Sequence, residues 1–294
     1  MSDTLASLRR KIDGAGKLKS VVRPMKAMAA SNIGQYEAAV QALGDYERTV
    51  ELGLTACLRQ AGPLAALHLV QRNPPTISAI VFGSDQGLVG QFNDVIGSFV
   101  EQELGTLPGK KNVWVVGERL YARLADVGLP LVGLYTVPNS VTTIAPLVGR
   151  IQIDCEAQRA YGTYEDAHVY VFHNRPQLGA HYQPVCQRLL PLDAQWLKII
   201  TAAPWPTSTL PEALGNSHEA LRAFIREYLF ISVFKACAES LASENASRLA
   251  AMQRAEKSID ALSIQLSLTF YRLRQGSIDE ELFDVIAGFN ALAT

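Results

Sequence analysis

The two ends of this chain contain almost no proline. Of its 14 prolines, 13 lie between Pro63 and Pro211, and Pro24 is the exception. A proline inside a helix removes a backbone hydrogen bond and clashes with the preceding turn. The absence of proline therefore permits long helices at both ends. The sequence predicts an N-terminal helix at residues 1–60, a central domain at residues 74–205 and a C-terminal helix at residues 210–294.

Long apolar runs, paired cysteines and clustered histidines are also missing. Apolar runs such as Thr76–Phe82 are far shorter than the ~20 residues that cross a bilayer, and residues 1–4 do not begin a secretory signal. The four cysteines are scattered without a Cys-x-x-Cys pair, and the five histidines have no metal-ligand spacing. We therefore expect no membrane span, no export, buried free thiols, no metal and no cofactor.

No charge of either sign dominates the chain. The 27 Lys and Arg residues nearly balance the 28 Asp and Glu residues, for a net charge of −1, which argues against a nucleic-acid-binding surface. The distribution is uneven, because residues 1–31 hold seven basic and two acidic residues, whereas residues 212–294 hold eight basic and eleven acidic ones. These net charges of +5 and −3 favour pairing of the two ends, to an extent that salt screens.

A seven-residue apolar repeat runs through the N-terminal helix. With position a at Leu5, every d residue is apolar or aromatic, and five of the eight a residues are apolar. The d residues are Leu8, Ala15, Val22, Ala29, Tyr36, Leu43, Val50 and Cys57. A repeat of this length predicts a coiled-coil seam, whose register the polar a residues Lys19, Lys26 and Glu47 can fix.

The C-terminal helix has the same repeat. With position a at Phe224, the a residues are Phe224, Ile231, Ala238, Asn245, Met252, Ile259, Leu266 and Leu273. The d row includes Phe234, Leu241, Ala255, Leu262 and Phe283. Neither helix can bury so wide a stripe alone, so we expect the two to pair antiparallel as a shaft that projects from the central domain. Two helical hairpins, each folded back on itself, are the alternative.

The central residues alternate between β-branched apolar runs and helical segments. The predicted strands are Ile77–Phe82, Asn112–Val116, Leu131–Val137 and Ala167–Phe172, and Gln183–Leu192 can add an edge hairpin. The predicted helices are Gln91–Leu104, Glu118–Asp126 and Val141–Ala160. This alternation predicts a small α/β domain with a mainly parallel sheet. The fold class is therefore α/β plus a long antiparallel coiled coil.

A glycine-containing loop follows the first predicted strand, where a nucleotide-binding loop would lie. The loop, Gly83–Gly90, has neither the Gly-x-Gly-x-x-Gly spacing nor the Lys-Ser/Thr of a P-loop. Asp85 within it would also repel a phosphate. A tight turn that lets a strand and a helix pack closely fits the residues better, and nucleotide binding stays open as the weaker interpretation.

Three stretches together resemble the γ subunit of the F-type ATP synthases. The first is Leu8-Arg9-Arg10-Lys11-Ile12 with Met25-Lys26-Ala27-Met28-Ala29-Ala30-Ser31, and the second is Ser84-Asp85-Gln86-Gly87-Leu88-Val89-Gly90-Gln91-Phe92-Asn93. The third is Ser243-Glu244-Asn245-Ala246-Ser247-Arg248-Leu249 followed by Arg274-Gln275 and Glu281-Leu282. Their order and spacing extend the resemblance over the whole chain.

The resemblance implies a non-catalytic central-stalk rotor. Its paired helices would enter the catalytic head of α and β subunits, and its α/β domain would contact the ε subunit and the membrane rotor c-ring. It would couple ATP synthesis or hydrolysis to proton or sodium transport at the cytoplasmic face of the bacterial inner membrane. It would touch the membrane only through the complex. ATP hydrolysis itself would belong to the partner subunits.

The resemblance also implies contact residues. Those for the catalytic head are Arg9, Arg10, Arg23, Met25, Lys26, Arg248, Arg274, Gln275 and Glu281. The residues of the α/β loop motif are Ser84, Asp85, Gln86, Gly87 and Asn93. The basic residues around Lys26 would face an acidic segment of the β subunits.

Several residues depart from the family pattern. Pro24 falls inside the basic helix, where it predicts a kink or a break, and Gln86 and Val89 replace an arginine and a cysteine. These departures indicate a divergent branch, for which a sodium-linked enzyme is one reading. Two other functions stay open from the sequence, namely a small α/β nucleotide-binding protein or enzyme with helical extensions, and an unrelated coiled-coil scaffold.

Overall fold

A computed structural model describes residues 4–61, 76–157, 167–178, 181–209, 211 and 217–292. The helices are α1 (Leu5–Ala61), α2 (Phe92–Thr106), α3 (Glu118–Asp126), α4 (Ile144–Ala157), α5 (Ala194–Ala202) and α6 (Ser217–Leu292), with a 3-10 turn at Val141–Thr143. The strands are β1 (Thr76–Phe82), β2 (Lys111–Val116), β3 (Leu131–Tyr135), β4 (Ala167–Pro176) and β5 (Tyr182–Leu190).

The five strands form one sheet in the order β3-β2-β1-β4-β5. The first four are parallel, and β5 runs antiparallel to β4 along residues 182–190. The predicted α/β class and mainly parallel sheet are therefore confirmed. The predicted helix at Val141–Ala160 begins as a 3-10 turn, and its residues 158–160 lie outside the described part of the chain.

The sheet is covered on both faces. Alternate residues of β1 point to opposite sides, so Ile80 and Phe82 face one core with α4 and the long helices, while Ala79 and Val81 face a second core with α2 and α3. The inner strands β1 and β2 are accordingly almost continuous apolar runs, as is typical of parallel strands buried on both faces. This burial positions the loop after β1 at the carboxyl edge of the sheet.

Two compact units divide the chain, residues 30–248 and residues 1–29 with 249–294. In the first unit, the α1 residues Tyr36, Leu54 and Cys57 share one buried cluster with α6 residues from Leu221 to Ala242. Gly53 lies in this contact because a Cβ there would overlap the ring of Phe224. Lys235 donates a hydrogen bond to Glu47 at 2.8 Å and Asn32 donates one to Asn245 at 3.4 Å, so α1 and α6 run antiparallel here.

In the second unit, the start of α1 pairs with the later part of α6. Leu8, Ala15 and Ala29 are buried, as their d positions predict. Lys19 pairs with Asp260 and Lys26 pairs with Glu256, which is again antiparallel order. The pairing of the terminal helices is therefore confirmed in place of two separate hairpins.

Pro24 does not break α1, which is a single helix from Leu5 to Ala61. A proline in a helix interior costs ~3 kcal/mol, and its missing N–H affects one backbone hydrogen bond. The buried side chain of Ala29 and the ion pairs of Lys19 and Lys26 lie on either side of it. The predicted break is therefore wrong, and this packing accounts for the continuity of the helix.

Candidate functional site

The loop that joins β1 to α2 closes on itself through Ser84 and Asn93. The Ser84 N–H donates to Asn93 Oδ1 at 3.1 Å, and Asn93 Nδ2 donates to Ser84 Oγ at 2.8 Å. Ser84 Oγ then donates to the carbonyl of Gln86 at 2.9 Å. Ser84 is fully buried, whereas Asn93 is half-buried and Gln86 is exposed. The polar groups of the loop therefore satisfy each other.

Asp85 joins this loop to two other elements. Its Oδ1 accepts from the Glu118 N–H at the start of α3 at 3.0 Å, and its Oδ2 accepts from the Val137 N–H after β3 at 2.9 Å. A carboxylate at a helix N-terminus is favoured by the helix dipole. Gly117 permits this approach, because it has φ of 113° and a Cβ there would overlap the Ser84 backbone. The Asp85 carboxylate is therefore a structural link between strand ends.

The second and third sequence motifs contact each other. Ser247 Oγ of α6 donates to the Val89 carbonyl at 2.5 Å. Ser243 Oγ donates to the Asn174 carbonyl on β4 at 2.8 Å, and Asn174 Nδ2 donates to the Phe92 carbonyl at 3.1 Å. All three side chains are buried. We call this set, Ser243, Ser247, Asn174, Val89 and Phe92, the loop–helix contact.

A buried polar layer crosses α6 beside this contact. Asn245 Nδ2 donates to the Leu241 carbonyl at 2.8 Å, and its Oδ1 accepts from Asn32 on α1. Arg248 Nη2 donates to Glu244 Oε1 at 2.6 Å. Burial raises the pKa of the Glu244 carboxyl, and the Arg248 guanidinium opposes that rise. A single asparagine at an a position is a known means of fixing coiled-coil register.

A second cluster connects β4 to α6 through two buried residues, His173 and Glu239, and the exposed Arg175, which the sequence did not single out together. His173 Nε2 lies 2.7 Å from Glu239 Oε2, and Arg175 Nε donates to the same oxygen at 3.0 Å. Burial lowers the pKa of His173, although its hydrogen bond to Glu239 acts in the opposite direction. Burial alone would raise the pKa of Glu239, but the bonds from His173 and Arg175 outweigh it and lower that pKa.

The basic residues of the first motif are partly engaged within the chain. Lys26 pairs with Glu256, and Arg23 Nε lies 3.5 Å from the other oxygen of that carboxylate. Arg23, Arg9 and Arg10 are exposed, whereas Met25 and Lys26 are half-buried. The hydrogen bond from Lys26 lowers the pKa of Glu256. The Arg23 side chain is therefore more accessible to a partner subunit than the Lys26 side chain.

The remaining predicted contact residues lie on α6. Arg274, Gln275 and Glu281 are exposed, and Arg248 is half-buried against Glu244. The loop residues Ser84, Asp85 and Asn93 meet, as described above, while the Gln86 side chain points to solvent. The structure thus brings the loop motif to the Ser243–Arg248 segment of α6.

The described residues contain no group of three or more His, Cys, Asp or Glu side chains that could hold a metal ion. Among the same residues, no helix is both long enough and apolar enough to cross a membrane. The described cysteines Cys57, Cys155 and Cys237 are buried, Cys186 is half-buried, and none forms a disulfide with another described residue. Burial raises the pKa of Cys186 to about 12, which leaves little reactive thiolate.

Comparison with known proteins identifies the same family over the full length. A family model described as ATP synthase matches residues 4–292. The ATP synthase gamma chain of Mycobacterium sp. (strain KMS) is 28% identical, over 100% of this chain and 98% of the relative. The ATP synthase gamma chain of Anaeromyxobacter dehalogenans is 26% identical, over 98% of this chain and 99% of the relative.

Two solved structures share the fold. A chain of the Euglena gracilis mitochondrial ATP synthase, solved with OSCP, F1 and the c-ring, has a TM-score of 0.64 at 15% identity, covering 98% of this chain and 94% of that one. A chain of the Tetrahymena thermophila mitochondrial ATP synthase central stalk and c-ring has a TM-score of 0.57 at 21% identity, covering 80% of this chain and 99% of that one.

Proposed function

This chain belongs to the ATP synthase family, and on that premise we propose that it is the γ subunit, the central-stalk rotor that couples the catalytic head to ion transport through the membrane ring. The chain is a non-catalytic subunit, since its relatives carry the gamma-chain name. The prediction made from the three motifs is confirmed at the level of family and role.

The observation that carries this function is the antiparallel pairing of α1 with α6 along buried d residues. A rotor that transmits torque must resist bending and twisting, and paired long helices provide that resistance. The pairing is present in each compact unit, through Asn32 with Asn245 in one and Lys19 with Asp260 in the other. The loop–helix contact then ties the sheet to the same helix.

The last part of α6 has a surface suited to a sleeve of other subunits. The described side chains from residue 278 to residue 288 are exposed, and several are apolar. Exposed large apolar side chains in this segment are Ile278, Leu282, Phe283, Val285 and Ile286. An apolar stripe of this kind marks an interaction site. We propose that the α and β subunits surround this segment.

The predicted contact residues enter as proposals. Exposed Arg9, Arg10 and Arg23 would meet the catalytic head near its acidic segment, with Met25 and Lys26 beside them. Arg274, Gln275 and Glu281 would meet it along α6, while Arg248 would act from its pair with Glu244. The sheet domain would contact the ε subunit and the c-ring. The complex would be peripheral to the membrane, at the cytoplasmic face of a bacterial inner membrane, and would transport protons or sodium.

The alternative function of nucleotide binding is not supported. The Ser84 N–H, which a phosphate would need, already donates to Asn93, and the Asp85 carboxylate faces the start of α3. The Asp85 carboxylate also places a negative charge within the loop, which would repel a phosphate. The loop therefore serves the fold.

Reconstitution tests the function directly. The chain should assemble with α and β subunits and a membrane ring into vesicles that pump ions when ATP is added. Vesicles assembled without the chain should hydrolyse ATP without pumping. ATP binding or turnover by the isolated chain, measured by calorimetry and phosphate release, would contradict the proposed role.

A further inference from the structure

The outer edge of β3 is unpaired in the described part of the chain. β3 ends the sheet order, with β2 on its inner side. The Tyr135 carbonyl accepts from the Gly117 N–H at 2.9 Å, so the Tyr135 peptide groups face β2. Peptide groups alternate along a strand, which turns the N–H and C=O of Leu134 outward. An unpaired strand edge is a template on which another strand can add.

A groove lies beside this edge, between β3 and α4. Its volume is about 730 Å³, and its lining includes Trp114, Val132, Leu134, Leu147, Arg150 and Asp154. Val132 and Leu134 are 41% and 45% exposed, whereas strands β1, β2 and β4 of the same sheet are largely buried. The ladder skips Val132, because Val113 pairs with Leu131 and Trp114 pairs with Gly133. The groove thus offers apolar contacts next to free backbone groups.

The groove contains one cation and one carboxylate, and the two differ in their hydrogen-bond partners. Asp154 Oδ2 accepts a hydrogen bond from the Tyr135 hydroxyl at 2.6 Å. Arg150 is exposed, and none of the ion pairs between described side chains includes it. A carboxylate on an occupant can therefore pair with Arg150 without displacing an existing ion pair.

The two edges of the sheet differ in how they discourage pairing. The opposite edge strand, β5, carries Pro184 and Arg188, and proline and charge are common means of blocking edge pairing. β3 has the sequence Leu-Val-Gly-Leu-Tyr, with neither proline nor charge. The β-bulge in this strand interrupts regular pairing at Val132 only. The regularly paired residues Gly133–Tyr135 can therefore accept another strand along their outer edge.

We propose that the β3 edge and the β3–α4 groove dock an extended strand of another subunit of the complex. This strand pairs its backbone with Leu134, places an apolar side chain against Val132 and places a carboxylate at Arg150. The proposal rests on the rotor function proposed above, since it requires a complex with other subunits. It assigns a β-strand partner to this face of the sheet domain.

Two variants test the proposal in the complete complex purified through a tag on this chain. Leu134→Cys, in a Cys186→Ser background, should react with N-ethylmaleimide in the isolated chain and about tenfold or more slowly in the complex, because paired strands open rarely. Glu101→Cys is the matched control on α2, an exposed position on the opposite face of the sheet. The presence of the Glu101→Cys chain in the purified complex reports assembly. Failure of this control to assemble would contradict the rotor function rather than the docking site.

Arg150→Lys supplies an amine for carbodiimide coupling to a neighbouring carboxylate, with the joined peptides identified by mass spectrometry. A cross-link to an extended segment of another subunit, together with the slower labelling of Leu134→Cys, is the expected result. Equal labelling of Leu134→Cys in the complex and in the isolated chain would overturn the proposal. Slow labelling of Leu134→Cys already in the isolated chain would also overturn it. A cross-link from Arg150→Lys only to this chain's own residues, or only to a helix of another subunit, would do the same.

Discussion

The carboxylate of Asp85 accepts one hydrogen bond with each oxygen, and the two donors belong to different elements. In Asp85→Asn, one of those oxygens becomes an NH₂ group that faces a backbone N–H. We expect a loss of about 1.5–3 kcal/mol in the free energy of unfolding, because a hydrogen bond to a charged carboxylate is replaced by two donors that face each other. Urea denaturation of both proteins measures the loss.

Gln86→Ala is the matched control for this prediction. The Gln86 side chain is exposed and adjoins Asp85 in the same loop. Its removal should change the free energy of unfolding by no more than about 0.5 kcal/mol. If Asp85→Asn were as mild as the control, the carboxylate would not be a structural link.

His173 makes the stability of the chain depend on pH. Its pKa in the folded chain lies below the ordinary value of 6.5, chiefly because the ring is buried. The folded state therefore binds fewer protons than the unfolded state, and the free energy of unfolding falls as pH drops through 6.5. We expect His173→Gln, which can still donate to Glu239, to show a shallower fall between pH 7.5 and roughly 5.

Urea midpoints at several pH values check this expectation. Part of the pH dependence of the free energy of unfolding should remain in His173→Gln, because burial also lowers the pKa of His168. The exposed His181→Gln is the control and should keep the full slope. An unchanged slope in His173→Gln would show that this ring does not carry the dependence.

At the scale of the helices, the pairing of α1 with α6 depends on ion pairs as well as on the buried apolar residues of the coiled-coil seam. Lys26 and Arg23 share Glu256, but Arg23 is the more exposed of the two. We expect Lys26→Glu to reduce ion pumping per ATP in reconstituted vesicles and Glu256→Lys to rescue it, because the double exchange restores the ion pair.

Arg23→Glu gives the contrasting case. Its defect should persist after Glu256→Lys, since its exposed guanidinium is proposed to meet an acidic segment of another subunit. Pumping and hydrolysis are measured on the same vesicles, and subunit content shows that assembly is intact. Equal rescue of both charge reversals would assign Arg23 an intramolecular role as well.

At the scale of the helices and strands, the sequence predicts the buried residues of the coiled-coil seam well and the polar contacts between elements poorly. The heptad spacing correctly places Leu8, Ala15, Tyr36 and Val50 in buried positions, because a single helix has a fixed period. The cluster of His173, Arg175 and Glu239 joins residues 64 to 66 positions apart. No local pattern contains that information, since the contact exists only once β4 packs on α6.

On the scale of the whole molecule, the three motifs identify the family and hence the fold. They do not reveal that Ser84–Asn93 and Ser243–Arg248 form one contact, because each motif is local in sequence. The continuity of α1 through Pro24 is likewise outside the reach of local rules. Packing on both sides of the proline decides it, and packing depends on the partner helix.

The loop–helix contact provides the prediction for the whole molecule. Ser243→Ala combined with Ser247→Ala leaves the Asn174 and Val89 carbonyls without these donors. We expect faster hydrogen exchange at the amides of residues 84–93 and less pumping per ATP hydrolysed in vesicles. Ser258→Ala, an exposed position on the same helix, should leave both unchanged. Normal pumping by the double variant would show that torque does not pass through this contact.

The directional bonds of the loop–helix contact bear on how accurately rotation is conveyed. Apolar surfaces can slide over each other at small cost, whereas a hydrogen bond weakens steeply once its angle departs from alignment. Ser243 and Ser247 lie one helical turn apart and bind two different segments of the sheet domain. A small rotation of that domain about the α6 axis would misalign both bonds at once. The sheet domain and this part of α6 therefore rotate together as one body. Each rotational step that the membrane ring imparts to the sheet domain is passed to α6 with little twisting between them.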